Sequence, residues 1–350
     1  MVETFVDLFA GAGGLSWGLQ QAGMQCLLAS DHWVDAIETY QHNMPDHPVI
    51  HSDIRKLTVA ELKRRLPQKP DWIVGGPPCQ GYSTVGKRNR QDPRNVLFLE
   101  FRRIVKGINP DGFVIENVLG LKDMSFEQEV AESFKALGYQ VRFMILTAAE
   151  HGVPQLRRRV VFVGHKSRGI FQGPPVTHDV NTFVSVDDAI GDLPQLSAAE
   201  GTTEYGQEPY TPYQKDMRRQ SRYLQGHTVS KHPDYLVKAI SYIPDGGNRR
   251  SIPPRYQPTG GFHNSYSRLA SWLPAVAVTQ NLGKPSGTRC IHPTQHRGLT
   301  TREGARLQSF PDRYHFIGPV TSQRLQVGNA VPPLLAQSLG EALGDELRWF

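Results

Sequence analysis

The chain has 350 residues, of which 39% are hydrophobic, so it is long enough to bury a full core and to form one large domain with a smaller second one. Its three cysteines are too few and too scattered for a disulfide framework or a tetrahedral zinc site, which favours a reducing cytosol. The 39 Lys and Arg against 33 Asp and Glu give a formal net charge of +6, a mild bias toward polyanionic partners that many other basic proteins share.

Short apolar runs alternate with helix-like segments over the first 165 residues. Strands are predicted at residues 4–9, 25–30, 48–52, 71–75, 112–116, 141–147 and 159–164, with helices over segments such as 34–43 and 97–107. This alternation predicts a doubly wound α/β domain in which crossover helices cover a mostly parallel sheet. We assign residues 1–167 to this first domain.

The composition changes between residues 168 and 298. Pro, Gly, Ser, Thr and Tyr become frequent, arginines are dispersed, as in GGNRRSIPPRYQPTGG at 246–261, and strong periodicity disappears. Disorder is one interpretation, but disordered segments usually carry fewer aromatic residues than this one. The tyrosines concerned are Tyr205, Tyr210, Tyr213, Tyr223, Tyr235 and Tyr242. We therefore predict a second, smaller domain built of structured loops.

Regular structure returns at Thr300. Thr300 and Glu303 have the spacing of a capping box ahead of an apolar helical run, which predicts that a helix begins there. Another helix is predicted after the paired prolines at 332–333. Residues 299–350 would then comprise a helix of the smaller domain and a segment, GNAVPP with the last helix, that returns the chain to the first domain.

A glycine-rich turn, DLFAGAGG at 7–14, joins the first strand to a helix. Glycines at such a junction let backbone approach a ligand closely, although a plain turn would look similar and the spacing is not G-x-G-x-x-G. Asp31 closes the second strand about 20 residues later, where an acid in such folds accepts hydrogen bonds from ribose hydroxyls. Asp53 follows the third strand. We predict a nucleoside-bearing ligand without a triphosphate, with helix capping by these acids as the alternative.

The segment GGPPCQGYS at 75–83 places Cys79 on a proline-bounded turn after the fourth strand. A thiol needs nearby positive charge or a helix N-terminus to act as a nucleophile, and a buried structural cysteine is the alternative. Glu116 ends the fifth strand at the same edge of the sheet, where an acid is poorly placed for packing. The candidates for the activating charge are Lys87, Arg88, Arg157 and Arg159.

Arg157 and Arg159 stand two residues apart in GVPQLRRRVVFVG at 152–164, so we expect both on one face of a strand. With Arg158 they would form either a solvated basic edge or, beside Cys79 and Glu116, a site for a polar heterocycle.

Taken in order, these motifs resemble those of the cytosine-C5 DNA methyltransferases. The set is DLFAGAGG, the acid Asp31, SDI at 52–54, PPCQGYS, ENV, QLRRR, LTTREGARLQSFPD and GNAVPP, and it covers nearly the whole chain. PPCQ, ENV and Q-x-R-x-R in that order are specific, whereas each fragment alone is not. DNA enzymes that methylate amino groups instead carry an Asp/Asn/Ser-Pro-Pro-aromatic motif, and here Cys79 follows the paired prolines.

The resemblance implies a pocket for S-adenosylmethionine. It would be lined by Phe9, Ala12, Gly13, Gly14, Asp31, His32, Asp53, Ile54, Pro78, Leu97, Asn329 and Val331. Two positions depart from the family pattern. His32 stands where an aromatic ring often packs on the adenosine, and an imidazole stacks with less area; Arg158 stands where many members have an acid.

The resemblance also implies the catalytic and DNA-binding residues. Cys79 would be the nucleophile, Glu116 would hydrogen-bond N3 and the amine of cytosine, and Arg159 would approach O2. Arg157 would help to hold the loop and the nucleotide. Residues 80–90 would be the loop that closes on DNA, with contacts from Gln80, Ser83, Lys87 and Arg88. Residues 1–167 would bind the cofactor and carry catalysis, and residues 168–298 would recognise the target sequence.

The implied reaction is S-adenosylmethionine-dependent methylation of cytosine C5 in a specific duplex DNA sequence, by base flipping and a covalent bond to Cys79. Three alternatives are weighed. An RNA (tRNA) cytosine-C5 methyltransferase is disfavoured by the long second domain, and a catalytically silent DNA-binding paralogue by the intact Cys79 and Glu116. A Rossmann-type oxidoreductase is disfavoured by the spacing of the glycines.

We further expect a monomeric prokaryotic modification enzyme in the cytosol or nucleoid, without a metal. No basic leader precedes the first apolar run, and no apolar run approaches the roughly 18 residues of a membrane span. Double-stranded DNA is the expected partner, and a restriction endonuclease that acts on the same site is expected by analogy.

Overall fold

The structure is a computed structural model, and it describes residues 2–78, 95–118, 125–166, 169–197, 199–259, 265–287 and 289–347. The chain divides into two compact units. The first unit comprises Met1–Thr147, Arg158–Val176 and Pro333–Phe350, and the second comprises Ala148–Arg157 and Thr177–Pro332. The boundaries predicted at 167 and 298 followed changes in composition, and the roles assigned to those segments stay predictions.

Seven strands of the described residues form one mixed sheet in the first unit, in the order β3-β2-β1-β4-β5-β8-β6. They are β1 (Thr4–Leu8), β2 (Gln25–Asp31), β3 (Val49–His51), β4 (Trp72–Gly75), β5 (Gly112–Val118), β6 (Gln140–Thr147) and β8 (Arg158–His165). The first five strands pair in parallel, and β8 runs antiparallel between β5 and β6. The prediction of a doubly wound, mostly parallel α/β fold is confirmed.

Helices link these strands because apolar residues recur at helical spacing between them. They are α1 (Gly14–Gln21), α2 (Val34–Asn43), α3 (Val59–Arg65), α4 (Asn95–Ile108) and α5 (Ser125–Lys135), and α11 (Pro333–Leu347) joins them from the end of the chain. The core between helices and sheet is aromatic: Phe113 stacks on Phe134 with ring centroids 4.0 Å apart, and Phe101 meets both rings edge-on. Buried area of this kind is the main stabilising term of such a unit.

The last helix, α11, packs directly on α1. A Cβ atom added at Gly18 would collide with the carbonyl oxygen of Pro333 and the Cβ of Ala336. The two helix backbones therefore approach so closely that only glycine fits at this position.

The second unit contains short elements joined by loops, as the loss of periodicity predicts. They are β7 (Gln155–Leu156), α6 (Val186–Ile190), α7 (Pro212–Arg218), α8 (Asp234–Ile240), β9 (Ala275–Val276), α9 (Thr301–Leu307) and α10 (Val320–Asn329). The predicted capping box is present: the Thr300 side chain accepts from the N–H of Glu303, whose carboxylate accepts from the N–H of Thr300. In the described part of the chain, none of the helices has the length and apolar character to cross a bilayer.

In the second unit, buried arginines donate hydrogen bonds to backbone carbonyls that no helix or sheet satisfies. Arg268 is almost fully buried, and its guanidinium donates to the carbonyl oxygens of Ile240, Ile243 and Gln295 at 2.9, 2.8 and 2.6 Å. A buried carbonyl without a partner would be destabilising. One side chain thus joins the end of α8 to a loop about 50 residues later in the chain.

A second buried arginine, Arg306, forms the centre of an ion network. Its guanidinium lies 2.5 Å from a carboxylate oxygen of Asp192 and 2.7 Å from one of Asp312, and all three side chains are fully buried. Arg302 lies 3.7 Å from Asp312 and is also buried. These charged side chains therefore pair with one another inside the unit and do not contribute to a charged surface.

Candidate active site

The carboxyl ends of the parallel strands meet at one edge of the sheet in the first unit. Phe9 follows β1, Asp31 ends β2, Asp53 follows β3, and Pro78 follows β4. Glu116 lies near the end of β5. The structure therefore brings these predicted residues to the same edge, which is where ligands bind in open α/β sheets.

The loop between β1 and α1 is built from left-handed backbone conformations. Phe9, Gly11 and Gly13 have φ values of 63°, 53° and 86°, and the N–H of Gly13 donates to the carbonyl of Ala10 at 2.9 Å. A Cβ atom added at Gly11 would meet nothing within 4 Å, so the loop borders open space there. Ala12, Gly13 and Gly14 are buried behind it. Such a loop presents backbone to a ligand without side chains in between.

Asp31 holds this loop in place. Its carboxylate accepts hydrogen bonds from the N–H of Gly11 at 2.8 Å and from the N–H of Trp33 at 2.9 Å. Burial raises the pKa of Asp31, but the hydrogen bonds from His32, Trp33 and Gly11 lower it more, and the net shift is downward. The group is therefore ionised at neutral pH, and a carboxylate has about four acceptor positions, so it can still accept from a ligand hydroxyl.

His32 stands beside Asp31 and is 77% exposed. Its Nδ1 lies 3.3 Å from the Asp31 carboxylate, and the hydrogen bond with Asp31 raises the pKa of His32. The backbone carbonyl of His32 also contacts Nε2 of His51 at 2.9 Å. The imidazole face is thus free for the contact with a ligand that the resemblance implies.

Asp53 and Ile54 follow β3 in different environments. Asp53 is paired with Arg55 at 2.5 Å, and the hydrogen bonds from Arg55 lower the pKa of Asp53 to about 2. Ile54 is buried, and its carbonyl accepts from Arg103 of α4 at 3.1 Å. The hydrogen bond from Arg103 therefore fixes the turn on its buried side, while the Asp53 carboxylate lies on its exposed side.

The other residues predicted to line the pocket belong to different units. Pro78 and Leu97 are half-buried in the first unit, and Leu97 packs against the core. Asn329 ends α10 in the second unit and is exposed, and Val331 is half-buried there. Their contact with the cofactor stays a prediction.

Glu116 and Arg159 form an ion pair at the edge of the sheet. Nε of Arg159 lies 2.7 Å from Oε1 of Glu116, and each side chain is 12% exposed. The antiparallel register of β5 and β8 brings them together, because Val118 is opposite Arg159. A Cβ atom added at Gly76 would lie 3.3 Å from Oε2 of Glu116, so the carboxylate lies against bare backbone just before the paired prolines.

Asn117 is a positioning residue that the sequence analysis did not single out. Its amide nitrogen donates to the carbonyl of Pro77 at 3.0 Å, and its amide oxygen accepts from the N–H of Val118 at 2.8 Å. The side chain thus ties the end of β5 to the segment that continues into Cys79. The sequence feature that could have identified Asn117 is its place beside Glu116 in ENV, because a buried amide needs hydrogen-bond partners.

Arg157 differs from the prediction. It lies between β7 and β8, so it does not share a strand face with Arg159, and the prediction that it does was wrong because the strand begins only at Arg158. Its guanidinium is 2% exposed and donates to the carbonyls of Val278, Gly328 and Ala330 at 3.2, 3.1 and 3.1 Å. A solvated basic edge is excluded for it, and its contact with the nucleotide stays a prediction.

Gln155 of the same motif was also not singled out. It is fully buried, and its amide donates to the carbonyl of Leu307 at 3.0 Å and to the Gln308 side chain at 2.9 Å. Its oxygen accepts from the N–H of Val278 at 2.7 Å. The regular spacing of Q-x-R-x-R therefore reflects two side chains that hold loops of the second unit.

Asp7 lies beneath the glycine loop and was not predicted as a site residue. It is fully buried in β1, and one carboxylate oxygen accepts from the Ser16 hydroxyl of α1 at 2.6 Å. Burial raises the pKa of Asp7 to about 7, although the Ser16 hydrogen bonds oppose the shift. This contact fixes α1 on the strand that carries the loop.

Five predicted residues lie outside the described residues. They are the nucleophile candidate and the DNA contacts of the following loop: Cys79, Gln80, Ser83, Lys87 and Arg88. Their roles stay predictions.

Comparison with known proteins gives full-length matches. The profile of the family "C-5 cytosine-specific DNA methylase" matches residues 3–345. The type II methyltransferase M1.HphI of Haemophilus parahaemolyticus is 40% identical over 98% of this chain and 87% of its own. The type II methyltransferase M.DdeI of Desulfomicrobium norvegicum is 39% identical over 97% and 88%.

Solved structures share the fold. An Escherichia coli prophage protein described as a DNA modification methyltransferase superposes with a TM-score of 0.79 at 24% identity, over 99% of each chain. The Dnmt2 methyltransferase of S. pombe gives a TM-score of 0.63 at 19% identity, over 99% of this chain and 100% of that one. At these identities the likeness shows the fold alone.

Proposed function

The chain belongs to the C-5 cytosine-specific DNA methylase family, and on that premise we propose that Cys79 is the nucleophile with which it methylates cytosine. It is a DNA (cytosine-5)-methyltransferase of the type II restriction-modification class, like the relatives that match nearly its whole length. The observation that carries the assignment of the site is the ion pair of Glu116 with Arg159 at the carboxyl edge of the sheet.

S-adenosylmethionine is the proposed methyl donor, and the β1–α1 loop fits it. The open space beside Gly11 admits a ligand, and the ionised Asp31 retains acceptor positions for ribose hydroxyls. The proposed pocket residues are Phe9, Ala12, Gly13, Gly14, Asp31, His32, Asp53, Ile54, Pro78, Leu97, Asn329 and Val331. When bound, the cofactor supplies a methyl group activated by its sulfonium.

Cys79 would begin the reaction, because cytosine C5 is a poor nucleophile by itself. Addition of the thiolate to C6 forms the Sγ–C6 bond and makes C5 enamine-like, so that C5 can accept the methyl group. Loss of the C5 proton to a base and release of the thiolate then restore the C5=C6 bond. Asn117, through its bond to Pro77, would keep the segment before Cys79 in position.

Glu116 and Arg159 would recognise and polarise the base. The pair is charged and nearly enclosed. A planar heterocycle that forms hydrogen bonds with both groups therefore suits this site better than solvent water does. Arg159 would donate to O2 of cytosine. Glu116 would share a proton with N3 and bind the exocyclic amine, which stabilises the charge that develops as the thiolate adds.

The target base cannot react inside the DNA stack, so it must be extruded. We propose that Gln80, Ser83, Lys87 and Arg88 contact the duplex as the loop after Cys79 closes, and that residues 168–298 read the flanking bases. The enzyme would act as a monomer in the prokaryotic cytosol or nucleoid, with a cognate restriction endonuclease for the same site.

Transfer of a tritiated methyl group to duplex DNA and to tRNA, offered side by side, tests the substrate. We expect label in the DNA alone, and exclusive labelling of the tRNA would replace the DNA assignment with the RNA one. A bisulfite map of DNA from cells that express the chain would identify the methylated cytosine and its sequence context.

Substitution Cys79→Ala tests the nucleophile. We expect it to abolish methyl transfer and to leave duplex binding intact, whereas Cys26→Ala and Cys290→Ala, at the two buried cysteines, should retain transfer when folded. A duplex with 5-fluorocytosine at the target should trap an adduct on Cys79, because the fluorine cannot leave as a proton does. An active Cys79→Ala enzyme, or an adduct on another residue, would refute the assignment.

A further inference from the structure

Two tyrosines of the second unit stack on each other at its surface. The ring centroids of Tyr242 and Tyr256 are 5.3 Å apart, with an angle of 24° between the planes. Tyr242 follows the end of α8, and Tyr256 packs against the small apolar core that α8 forms with Ile252 and Ile291. Each ring is half-buried, so the pair forms a fixed step at the surface.

A cation lies over each ring of this stack. Nζ of Lys238 is 5.2 Å from the centroid of Tyr242, and Cζ of Arg255 is 4.7 Å from the centroid of Tyr256. Desolvation raises the pKa of the Tyr242 hydroxyl, but Arg255, Lys238 and Tyr256 lower it more, and the net shift is downward. Both cations therefore act on the same hydroxyl. We call Lys238, Tyr242, Arg255 and Tyr256 the tyrosine platform.

The platform holds two positive charges without an ion-pair partner in the described part of the chain. Within the described residues, neither Lys238 nor Arg255 forms an ion pair with a carboxylate, although the unit contains several such pairs. The nearest acid along α8 is Asp234, one turn before Lys238 and without an ion pair to it. Asp245 is occupied by Ser271, whose N–H and hydroxyl donate to it at 3.0 and 2.6 Å. Two like charges held together without an anion repel each other, and an anion placed between them relieves the repulsion.

The platform is also rigid, since its base is anchored in the interior. The buried guanidinium of Arg268 donates to the carbonyls of Ile240 and Ile243, which flank Ser241 and Tyr242 in the chain. A cation fixed on an aromatic ring loses less side-chain entropy when it binds an anion than a freely moving one does. Stacked rings, cations without acidic partners and an anchored base are the properties of a binding site. A surface of solvated charges requires none of these three properties.

We propose that the tyrosine platform binds the phosphate backbone of the DNA substrate, with Lys238 and Arg255 each contacting a phosphate beside the recognised sequence. The proposal rests on the proposed function, since it names contacts that the second unit makes with the same duplex. Such contacts set the register of the protein on DNA and carry no sequence information themselves.

The salt dependence of DNA binding tests the proposal. Wild-type holoenzyme and the double variant Lys238→Ala/Arg255→Ala are titrated with a fluorescent duplex that contains the target site, between low and physiological salt. We expect the variant to bind about tenfold more weakly at physiological salt, and the slope of log K against log [salt] to fall by about two, one for each lost phosphate contact. A duplex of unrelated sequence should lose affinity by the same factor, since phosphate contacts do not read bases.

Two control variants separate this effect from loss of charge or of folding. The first, Lys63→Ala/Arg64→Ala, removes two exposed cations near the end of α3, which runs toward the amino edge of the sheet, and should leave the slope unchanged. The second, Lys238→Arg/Arg255→Lys, keeps both charges and should keep the wild-type slope. If the alanine pair binds with the wild-type slope and affinity while wild type methylates DNA, the platform proposal fails and the proposed function stands. If wild type itself transfers no methyl group to DNA, the proposed function fails.

Discussion

Three consecutive arginines, at positions 157–159, have three different environments. Arg157 is buried and binds three backbone carbonyls, Arg158 is exposed, and Arg159 pairs with Glu116. The spacing Q-x-R-x-R singled out Arg157 and Arg159 through the family resemblance, and their functional roles stay predictions. It did not separate their environments, since the change from loop to strand at Arg158 has no signal in three identical side chains.

Arg159→Ala is expected to lower methyl transfer by about two to three orders of magnitude, in the range of a lost transition-state hydrogen-bond donor. The substitution removes the proposed donor to O2 and leaves the Glu116 carboxylate without its counter-charge. The measurement is single-turnover methyl transfer, with cofactor binding followed separately and expected to be unchanged. Arg158→Ala, which removes an exposed guanidinium next in the chain, is the matched control. Equal rates for the two variants would remove Arg159 from the catalytic set.

At the scale of elements, the β1–α1 junction joins a predicted motif to an interaction that was not predicted. The glycine turn and Asp31 could be assigned from the sequence, since strand, turn and acid occur at the spacing of a nucleoside site. The buried contact of Asp7 with Ser16 could not, because an acid inside an apolar strand run looks like an ordinary end-of-strand polar residue. Their separation of nine positions in the sequence says nothing about their distance in space.

Asp7 makes stability depend on pH in an unusual direction. Its pKa is raised from an ordinary value of 3.8 to about 7, so the folded state binds a proton more tightly than the unfolded state does. Protonated Asp7 therefore contributes to the free energy of unfolding. Its contribution is present in full below pH 4 and is lost as the pH rises through 7. Urea unfolding of wild type and Asp7→Asn between pH 5 and 8 should show a decline in wild type that is reduced in the variant, which keeps an acceptor for Ser16. A decline of the same size in both proteins would show that other groups cause it.

At the scale of the whole molecule, the two units are stabilised by different means. The first unit follows hydrophobic periodicity, so its strands were predicted to within about two residues, in keeping with the limits of element boundaries. The second unit has little periodicity, and its order depends on pairings across long stretches of chain, such as that of Arg306 with Asp192. Pairings of that kind leave no local pattern. Arg218 is a further example, since it lies over the ring of Tyr205 and 3.5 Å from the buried carboxylate of Asp192, 26 residues earlier in the chain.

Arg306→Leu tests this difference. We expect the substitution to cost about 3–5 kcal/mol of stability, because two buried carboxylates lose their closest counter-charge. Arg65→Ala, which breaks an exposed pair with Glu61, should cost under about 0.5 kcal/mol. Chemical denaturation of both variants measures the difference. A loss in Arg306→Leu as small as that in Arg65→Ala would mean that the network is dispensable.

The close packing of α11 on Gly18 links the far end of the chain to the helix that follows the glycine loop. During synthesis, α1 leaves the ribosome long before α11 is translated, so a nascent chain lacks this support until residues 333–347 have been made. A product terminated before residue 333 would expose the face of α1 that Pro333 and Ala336 cover. Only molecules translated through α11 would then have this face of α1 covered, and addition of a separate α11 peptide is expected to restore the contact in a shortened chain.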